Sequence, residues 1–310
     1  MKINILLMVM IIFSVPAWSS PPVAPQVVVS IKPIHSLVSG VMQGVAEPLL
    51  LIKGGGSPHG YTLRPSEARA LSRADLIVWI GPQLEGFLQK PLSTLGRNAR
   101  QLELVDTLKS QLLPLRENGN WGAHNHHAEA VGEEDSDHHG DINPHLWLNP
   151  LLAKKIVAQT ASALVKLDPV HQQQYLKNAE QIEARLNRLH QRLLEKLAPV
   201  KTVPYVVFHD AYQYFEASYG LNAVGAIAIN PERQAGVKRI LAMRQKIVDL
   251  NARCVFSEPQ FEPRLLATLV EGTGARTGIL DPLGADLPAG VESYFLLLER
   301  LAENLRSGLQ

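Results

Sequence analysis

Short runs of β-branched and apolar residues recur along the chain, and each is followed by the three-to-four-residue spacing of an amphipathic helix. The first series of runs is Val27–Ser30, Leu49–Ile52, Leu76–Ile80 and Leu102–Val105. The second series is Tyr205–Phe208, Val224–Ile229, Val255–Ser257 and Thr277–Leu280. Strands that alternate with helices predict parallel α/β units. We therefore predict an α/β protein with two similar sets of parallel strands.

A long amphipathic segment separates the two series. Its apolar residues recur every three or four positions, as on one face of a helix, and Pro199 ends the pattern. These residues are Leu176, Ala179, Ile182, Leu186, Leu189, Leu193 and Leu197. The pattern predicts one helix over residues 169–198, roughly 40 Å long. We interpret it as the connector between an N-terminal lobe at 26–168 and a C-terminal lobe at 202–310, a division that suits a chain of 310 residues.

The first 19 residues have the features of a secretory signal peptide. Lys2 precedes an apolar run from Ile3 to Val15, and the small-residue pattern Ala17-Trp18-Ser19 follows. This run is shorter than the roughly 20 residues of a spanning helix, and no later segment reaches that length without charges. No cysteine follows the run to carry a lipid anchor. We therefore expect a freely diffusing protein in the periplasm that does not span the membrane.

The charge balance excludes one class of partner. The chain has 30 Lys and Arg residues against 29 Asp and Glu residues, and the basic residues are scattered along it. A protein that binds nucleic acid usually gathers its basic residues in a patch or stripe. We therefore do not expect nucleic acid to be a partner.

One segment, residues 119–141, departs from the regular alternation of strands and helices. It interleaves acidic residues with five histidines, which are His124, His126, His127, His138 and His139. A stretch of this composition cannot form a hydrophobic core. We expect a flexible loop inserted in the N-terminal lobe, with an auxiliary capacity to bind metal.

Three histidines outside this loop lie where the chain presents a side chain to a ligand. His59 follows the predicted strand Leu49–Ile52 in a glycine-rich stretch, and ligands collect beyond the carboxyl ends of parallel strands. His209 ends the first strand of the second series. His145 lies in Asn143–Pro150, where two Asn-Pro pairs predict a short rigid turn before a helix.

Three neutral imidazoles form a strong site for Zn²⁺ and leave the fourth tetrahedral position to water or a carboxylate. Asp281 could fill or support this position, or it could be the turn residue of an Asp-Pro pair. Asp210 could orient an imidazole without touching the metal, or it could simply begin a helix. His35 opens a predicted amphipathic helix, so we expect it to pack or to form a hydrogen bond.

The candidate residues lie in strings that resemble the ZnuA family, the periplasmic zinc-binding components of bacterial zinc ABC importers. These strings occur in the family's order over essentially the whole mature chain. They are Lys32-Pro33-Ile34-His35-Ser36-Leu37, Ser57-Pro58-His59-Gly60-Tyr61-Thr62-Leu63-Arg64-Pro65-Ser66, Asn143-Pro144-His145-Leu146-Trp147-Leu148-Asn149-Pro150, Phe208-His209-Asp210-Ala211-Tyr212, Ser257-Glu258-Pro259-Gln260-Phe261 and Asp281-Pro282-Leu283-Gly284.

The resemblance implies two α/β lobes joined by one rigid helix, with a metal cleft between them. It implies that His59, His145 and His209 are the zinc ligands and that the histidine-rich loop lies near the cleft. It also implies that a monomeric protein delivers Zn²⁺ to an inner-membrane permease driven by a separate ATPase. Manganese-type relatives have a carboxylate instead of the third histidine, so His209 favours zinc. Pro58 stands where some members have a glutamate, which excludes that glutamate as a fourth ligand here.

Two other functions remain open from the sequence. A zinc hydrolase would also use three histidines and a water, but the chain has no His-Glu-x-x-His motif, and the nearest candidate bases are Glu258 and Glu262. A periplasmic zinc buffer or chaperone would use the histidine-rich loop as its working part. We predict a non-enzymatic zinc-capture protein whose affinity falls as the pH drops through about 6 to 7, where free imidazoles become protonated.

Overall fold

Two four-stranded parallel sheets form the framework of the protein. The computed structural model describes residues 24–116, 121, 142–228, 231, 236–260 and 269–310. The first sheet has the order β2-β1-β3-β4 and is built from β1 (Val27–Val29), β2 (Leu49–Leu50), β3 (Leu76–Trp79) and β4 (Arg100–Glu103). The second has the order β6-β5-β7-β8 and is built from β5 (Tyr205–Val207), β6 (Ala223–Ala226), β7 (Cys254–Ser257) and β8 (Arg276–Ile279). The prediction of two parallel-sheet α/β lobes is confirmed.

The helices follow the strands as the alternating pattern predicts. Within the described ranges they are α1 (Lys32–Met42), α2 (Pro65–Arg73), α3 (Gln89–Thr94), α4 (Leu104–Thr107), α5 (Pro150–Leu167), α6 (Gln172–Leu197), α7 (Gln213–Tyr219), α8 (Val237–Asp249) and α9 (Ser293–Leu309). None of them combines the length and the apolar character that a membrane crossing needs. The predicted signal peptide at 1–19 and the five histidines of the predicted loop lie outside the described residues.

The fourth predicted strand lies at a different place. The sequence predicts a strand at Leu102–Val105, whereas β4 ends at Glu103 and the next two apolar residues begin α4. Both Leu104 and Val105 are buried, and a strand or a helical turn could remove their side chains from water. A short apolar run does not distinguish a strand from one helical turn, which explains the difference.

Helix α6 is the predicted connector, and its 26 residues span about 39 Å. It packs against α5, α1 and α9, and the predicted stripe is buried from Ala179 to Leu197. Leu176 is an exception, because it is 50% exposed and Tyr175 is buried instead. The Tyr175 hydroxyl donates to the carboxylate of Asp168 at 2.8 Å, which gives its polar end a partner inside the protein.

The hydrophobic core joins the two lobes. One continuous cluster includes Val28 of the first sheet, Leu189 of α6, Tyr205 of the second sheet and Leu298 of α9. A smaller cluster, which includes Val206 and Val255, also lies in the second lobe. The boundaries 26–168, 169–198 and 202–310 therefore describe the order of elements along the chain, and as domain limits they stay a prediction.

Polar contacts also tie the lobes together near the carboxyl ends of the strands. The buried ammonium of Lys32, at the start of α1, donates to the carbonyl oxygens of Gly284, Ala285 and Leu287 at 2.6, 2.9 and 2.8 Å. The indole nitrogen of Trp147 donates to the carbonyl of Pro282 at 2.8 Å. These contacts hold the segment after β8 against the first lobe, beside the cleft in which the candidate site lies.

Candidate metal centre

His59 is presented by a tight turn beyond the carboxyl end of β2. The backbone leaves the strand through Gly54, which has a φ of +78°, a conformation that glycine adopts without strain. His59 then lies in a short 3-10 turn, Pro58–Gly60, where its backbone N–H donates to the hydroxyl of Ser57 at 3.3 Å. The turn ends before α2, so the imidazole is held between two regular elements.

His145 and His209 are presented by the turn before α5 and by the end of β5. The side-chain oxygen of Asn143 accepts from the backbone N–H of His145 at 3.1 Å. Asn149 caps α5 by accepting from the backbone N–H of Leu151 at 2.8 Å. His209 lies two residues beyond the last residue of β5 and, like His145, is buried.

The three imidazoles meet through their Nε2 atoms. The Nε2 atom of His145 lies 3.4 Å from that of His59 and 3.2 Å from that of His209. The three residues offer ligand atoms that all lie within 4.8 Å of one another. They line a cavity of about 10 Å³, whose walls include Trp147 and Leu283. This volume accommodates about one water-sized particle.

The rings of His145 and His209 each form a hydrogen bond through Nδ1, the nitrogen that lies away from the metal centre. These bonds fix which ring nitrogen carries the proton. The Nδ1 atom of His145 lies 2.8 Å from the side-chain oxygen of Asn143, and that of His209 lies 2.6 Å from a carboxylate oxygen of Glu258. Both oxygens are acceptors, so each Nδ1 is the donor. With Nδ1 as the donor, Nε2 is the nitrogen that each ring offers to a metal, and the two Nε2 atoms lie 3.2 Å apart.

The spacing of these nitrogens fits a tetrahedral zinc ion. Nitrogen atoms bound about 2.0–2.1 Å from Zn²⁺ lie about 3.3–3.4 Å apart at tetrahedral angles. The measured Nε2 separations of 3.4 and 3.2 Å are close to this value. Imidazole nitrogen is also a preferred ligand type for zinc. The residues present therefore fit a zinc ion.

Comparison with known proteins agrees with this chemistry. The family model described as "Zinc-uptake complex component A periplasmic" matches residues 27–308. The chain belongs to the ZnuA family. It is 45% identical over 304 residues to the high-affinity zinc uptake system protein ZnuA of Brucella abortus, with 91% of each chain covered. It is 37% identical over 290 residues to the protein of the same name from Yersinia pestis, with 92% of this chain and 91% of the relative covered.

Solved structures show the same architecture. A crystal structure of ZnuA superposes with a TM-score of 0.77 at 25% identity and covers 93% of this chain and 100% of its own. The periplasmic zinc-binding protein TroA of Treponema pallidum superposes with a TM-score of 0.78 at 21% identity, covering 92% and 99%. The second likeness concerns the fold alone. Two lobes and a long helix are thus the architecture that this ZnuA-family chain shares with both.

The protein environment keeps two of the imidazoles neutral. Burial, together with the neighbouring His209, lowers the pKa of His59 from its usual 6.5 to about 3. Burial and the two neighbouring histidines lower the pKa of His145 well below that usual value. Burial raises the pKa of Glu258, while His209 acts in the opposite direction. A neutral imidazole is the form that binds a metal, so the site is prepared for a cation before one arrives.

Asp210 does not orient an imidazole of the ZnuA-family site. Its carboxylate accepts from Nε of Arg116 at 3.0 Å and forms an ion pair with the same guanidinium. Glu258 orients His209 instead. Of the two interpretations of Asp210 left open by the sequence, these contacts do not support the orienting role, because its carboxylate is bound to the guanidinium of Arg116. The sequence indicates Glu258 as a candidate base and as part of one resembling string, but no local pattern links it to His209, 49 positions away.

Asp281 has the contacts of a turn residue. Its carboxylate accepts from the backbone N–H groups of Leu283 and Ala285 at 3.0 and 2.5 Å, and from the side-chain amide of Gln260 at 2.9 Å. Within the part of the chain that the structure describes, the group of mutually close ligand atoms consists of the three histidines and does not include Asp281. Of the two interpretations left open by the sequence, these contacts favour the Asp-Pro turn.

His35 also lies apart from the metal centre. Its Nε2 atom is 2.9 Å from the backbone carbonyl of Pro48, and its ring is buried. Burial lowers the pKa of His35, so the ring is kept neutral inside α1's packing. The hydrogen-bonding role expected from the sequence is confirmed.

Proposed function

We propose that this chain captures Zn²⁺ in the periplasm with His59, His145 and His209 and delivers it to an inner-membrane ABC permease. The observation that carries the proposal is the convergence of three imidazoles whose ligand atoms lie within 4.8 Å of one another, with two Nε2 separations, 3.4 and 3.2 Å, that suit one tetrahedral zinc ion. Membership of the ZnuA family supports the same cargo. Water takes the fourth position of the ion, since the carboxylate of Asp281 is engaged by its own turn.

The three imidazoles favour zinc over manganese. Manganese is better suited to carboxylate, carbonyl and water oxygens, whereas zinc is held well by imidazole nitrogen. The buried carboxylate of Glu258 accepts a hydrogen bond from Nδ1 of His209 at 2.6 Å. It therefore strengthens a nitrogen ligand and does not serve as an oxygen ligand itself.

Delivery requires partners that supply energy and a membrane path. No Gly-x-x-x-x-Gly-Lys-Ser/Thr string occurs in the 310 residues, so a separate ATPase subunit would drive the permease. Residues 1–19 would direct export of the chain, which then acts as a monomer. The five loop histidines, His124, His126, His127, His138 and His139, would raise the local zinc concentration without being required for the tight site.

The contacts of Glu258 argue against the zinc hydrolase that the sequence left open. A general base must reach the metal-bound water, whereas the buried carboxylate of Glu258 is bound to the far side of His209. A zinc buffer that works through its loop is tested by deleting residues 120–140, after which our proposal expects one tight site to survive.

Substitution of the three histidines tests the proposal. We expect His59→Ala, His145→Ala and His209→Ala each to weaken zinc binding by roughly 10²–10³-fold, as measured by competition with a chromophoric chelator. His190→Ala is the matched control, because His190 lies on α6 and contacts the hydroxyl of Tyr219. Unchanged zinc affinity in all three variants, or Mn²⁺ binding as tight as Zn²⁺ binding in the unmodified protein, would contradict the proposal.

A further inference from the structure

Asn143 uses both halves of its side-chain amide, and the two halves reach different parts of the metal centre. The oxygen accepts from Nδ1 of His145 at 2.8 Å. The nitrogen donates to the backbone carbonyl of Asp210 at 2.8 Å. Asp210 directly follows His209 in the chain, so one side chain connects the segments that carry two of the three histidines. Asn143 is fully buried, which keeps water from competing for either bond.

The backbone of Asn143 is held by the second lobe as well. The hydroxyl of Tyr214, on α7, donates to the carbonyl of Asn143 at 2.8 Å. The same hydroxyl accepts from the backbone N–H of Leu113 at 3.0 Å. The turn that presents His145 leads into α5. Its first residue, Asn143, is hydrogen-bonded to Tyr214 on α7 and to Asp210 in the segment after β5. His145 is therefore positioned by contacts to the lobe that contains His209.

Asp210 is itself fixed by a charged partner. Arg116 binds the carboxylate of Asp210 and also approaches the carboxylate of Glu216 at 2.8 Å. The guanidinium plane lies over the ring of Trp121, 3.4 Å from its centroid. The backbone carbonyl of Asp210 accepts from the amide of Asn143, while its side chain is bound by Arg116. Asp210 is therefore fixed in position when it binds Asn143.

We propose that Asn143 is a positioning residue that sets His145 against His209 across the cleft and so fixes the separation of their Nε2 atoms. The inference rests on the proposed function, because it concerns the same ligands. A primary amide provides an acceptor for the imidazole and a donor for the carbonyl on one short planar group. A carboxylate provides the acceptor alone, and a methyl group provides neither. The Nε2 separation of 3.2 Å is the quantity that the two bonds maintain.

Two substitutions separate the two bonds in the full mature chain. Asn143→Ala removes both, and we expect zinc affinity to fall about 10–100-fold, with a changed visible absorption spectrum of the Co²⁺-loaded protein. Asn143→Asp keeps and strengthens the acceptor for His145, so a loss of affinity in this variant comes from the missing donor to Asp210. We expect that loss to be about five-fold. Asn149→Ala is the matched control, since Asn149 belongs to the neighbouring Asn-Pro pair and only caps α5.

The outcomes distinguish this inference from the proposed function. If Asn143→Ala matches Asn149→Ala in zinc affinity and Co²⁺ spectrum while His145→Ala loses binding, the positioning role is overturned. If Asn143→Asp binds zinc as tightly as the unmodified protein and leaves the Co²⁺ spectrum unchanged, the bond to Asp210 does not set the ligand geometry and the cross-cleft role fails. If His145→Ala itself binds normally, the proposed ligand set fails instead. Should Asn143→Ala not fold, Tyr214→Phe replaces it, with an expected loss of about five-fold, and no loss contradicts the inference.

Discussion

The imidazole of His209 donates through Nδ1 to a carboxylate oxygen of Glu258 at 2.6 Å, and both side chains are buried. This bond engages Nδ1 of His209, while its Nε2 atom lies 3.2 Å from Nε2 of His145 in the metal centre. The carboxylate also makes Nε2 of His209 a stronger metal ligand, because it stabilises the positive charge that a bound cation induces on the ring. The pair therefore connects the interior of the second lobe with the metal centre.

Replacing Glu258 should weaken zinc binding, and its effect on the metal-free fold should depend on whether the new side chain still accepts the hydrogen bond of His209. We expect Glu258→Gln to lower zinc affinity about 10-fold, because an amide oxygen still accepts but carries no charge, and Glu258→Leu to lower it about 100-fold. Without metal, Glu258→Gln still offers an acceptor to Nδ1 of His209 and should keep a thermal stability close to that of the unmodified protein, whereas Glu258→Leu leaves the buried N–H without this partner and should be less stable. Chelator competition and thermal denaturation measure the two quantities. Glu271→Gln, at an exposed position, is the control, and equal affinity in all four proteins would remove Glu258 from the site.

The depressed pKa of His59 makes the metal-free protein less stable in acid. The folded pKa is about 3, against 6.5 for an unperturbed histidine, so the unfolded chain binds the proton more readily. Stability that is present above pH 6.5 is therefore lost as the pH falls toward 3. Between pH 7.5 and 5, we expect the unmodified protein to lose about 2 kcal/mol more unfolding free energy than His59→Gln does. Urea denaturation at both pH values measures this, and an equal loss in both proteins would contradict the depressed pKa.

The same shift changes the expected pH dependence of binding. Free imidazoles predict that affinity falls as the pH drops through about 6 to 7. His59 and His145 instead stay neutral well below pH 6.5, because burial disfavours their charged forms. Protons therefore begin to compete with zinc for these two ligands at a lower pH than the range of about 6 to 7 that free imidazoles predict.

Zinc should stabilise the folded chain through the three histidines. With free zinc at about 1,000 times its Kd, we expect a gain of about 4 kcal/mol and a rise in Tm of roughly 5–10 °C. His209→Ala, whose zinc affinity we expect to be roughly 10²–10³-fold lower, should gain only about 0.4–1.4 kcal/mol at the same zinc concentration, while His190→Ala should show the full rise. Differential scanning calorimetry with and without a chelator measures the shift. A full rise in His209→Ala would place the stabilising zinc elsewhere.

Helix α6 offers a test of the shared core. Leu189 is fully buried in the cluster that joins both lobes, so Leu189→Ala should cost about 2–5 kcal/mol of unfolding free energy. Leu176, which belongs to the same predicted stripe, is 50% exposed. Leu176→Ala should therefore change stability by less than about 0.5 kcal/mol. Chemical denaturation compares the two variants, and equal losses would contradict the observed orientation of the helix.

The sequence alone determined the elements and the candidate ligands. Runs such as Val27–Val29 and Tyr205–Val207 are dense in β-branched or aromatic residues, and the stripe on α6 repeats at the helical period. Glycine and proline mark the turns that carry His59 and His145. All of these features are local, because backbone sterics and side-chain periodicity act over a few residues, and they can be read from the chain without knowing its folded path.

The tertiary structure decided which polar groups meet. Glu258 orients His209 through a hydrogen bond, and Arg116 binds the carboxylate of Asp210. Asn143 joins the turn of His145 to the second lobe. The partners in these contacts are separated by 49, 94 and 67 positions, so no local pattern announces them. Each buried polar group must find a partner within about 3 Å once water is excluded. Which partner it finds depends on how the two lobes pack around their common core, and only the folded chain specifies that packing.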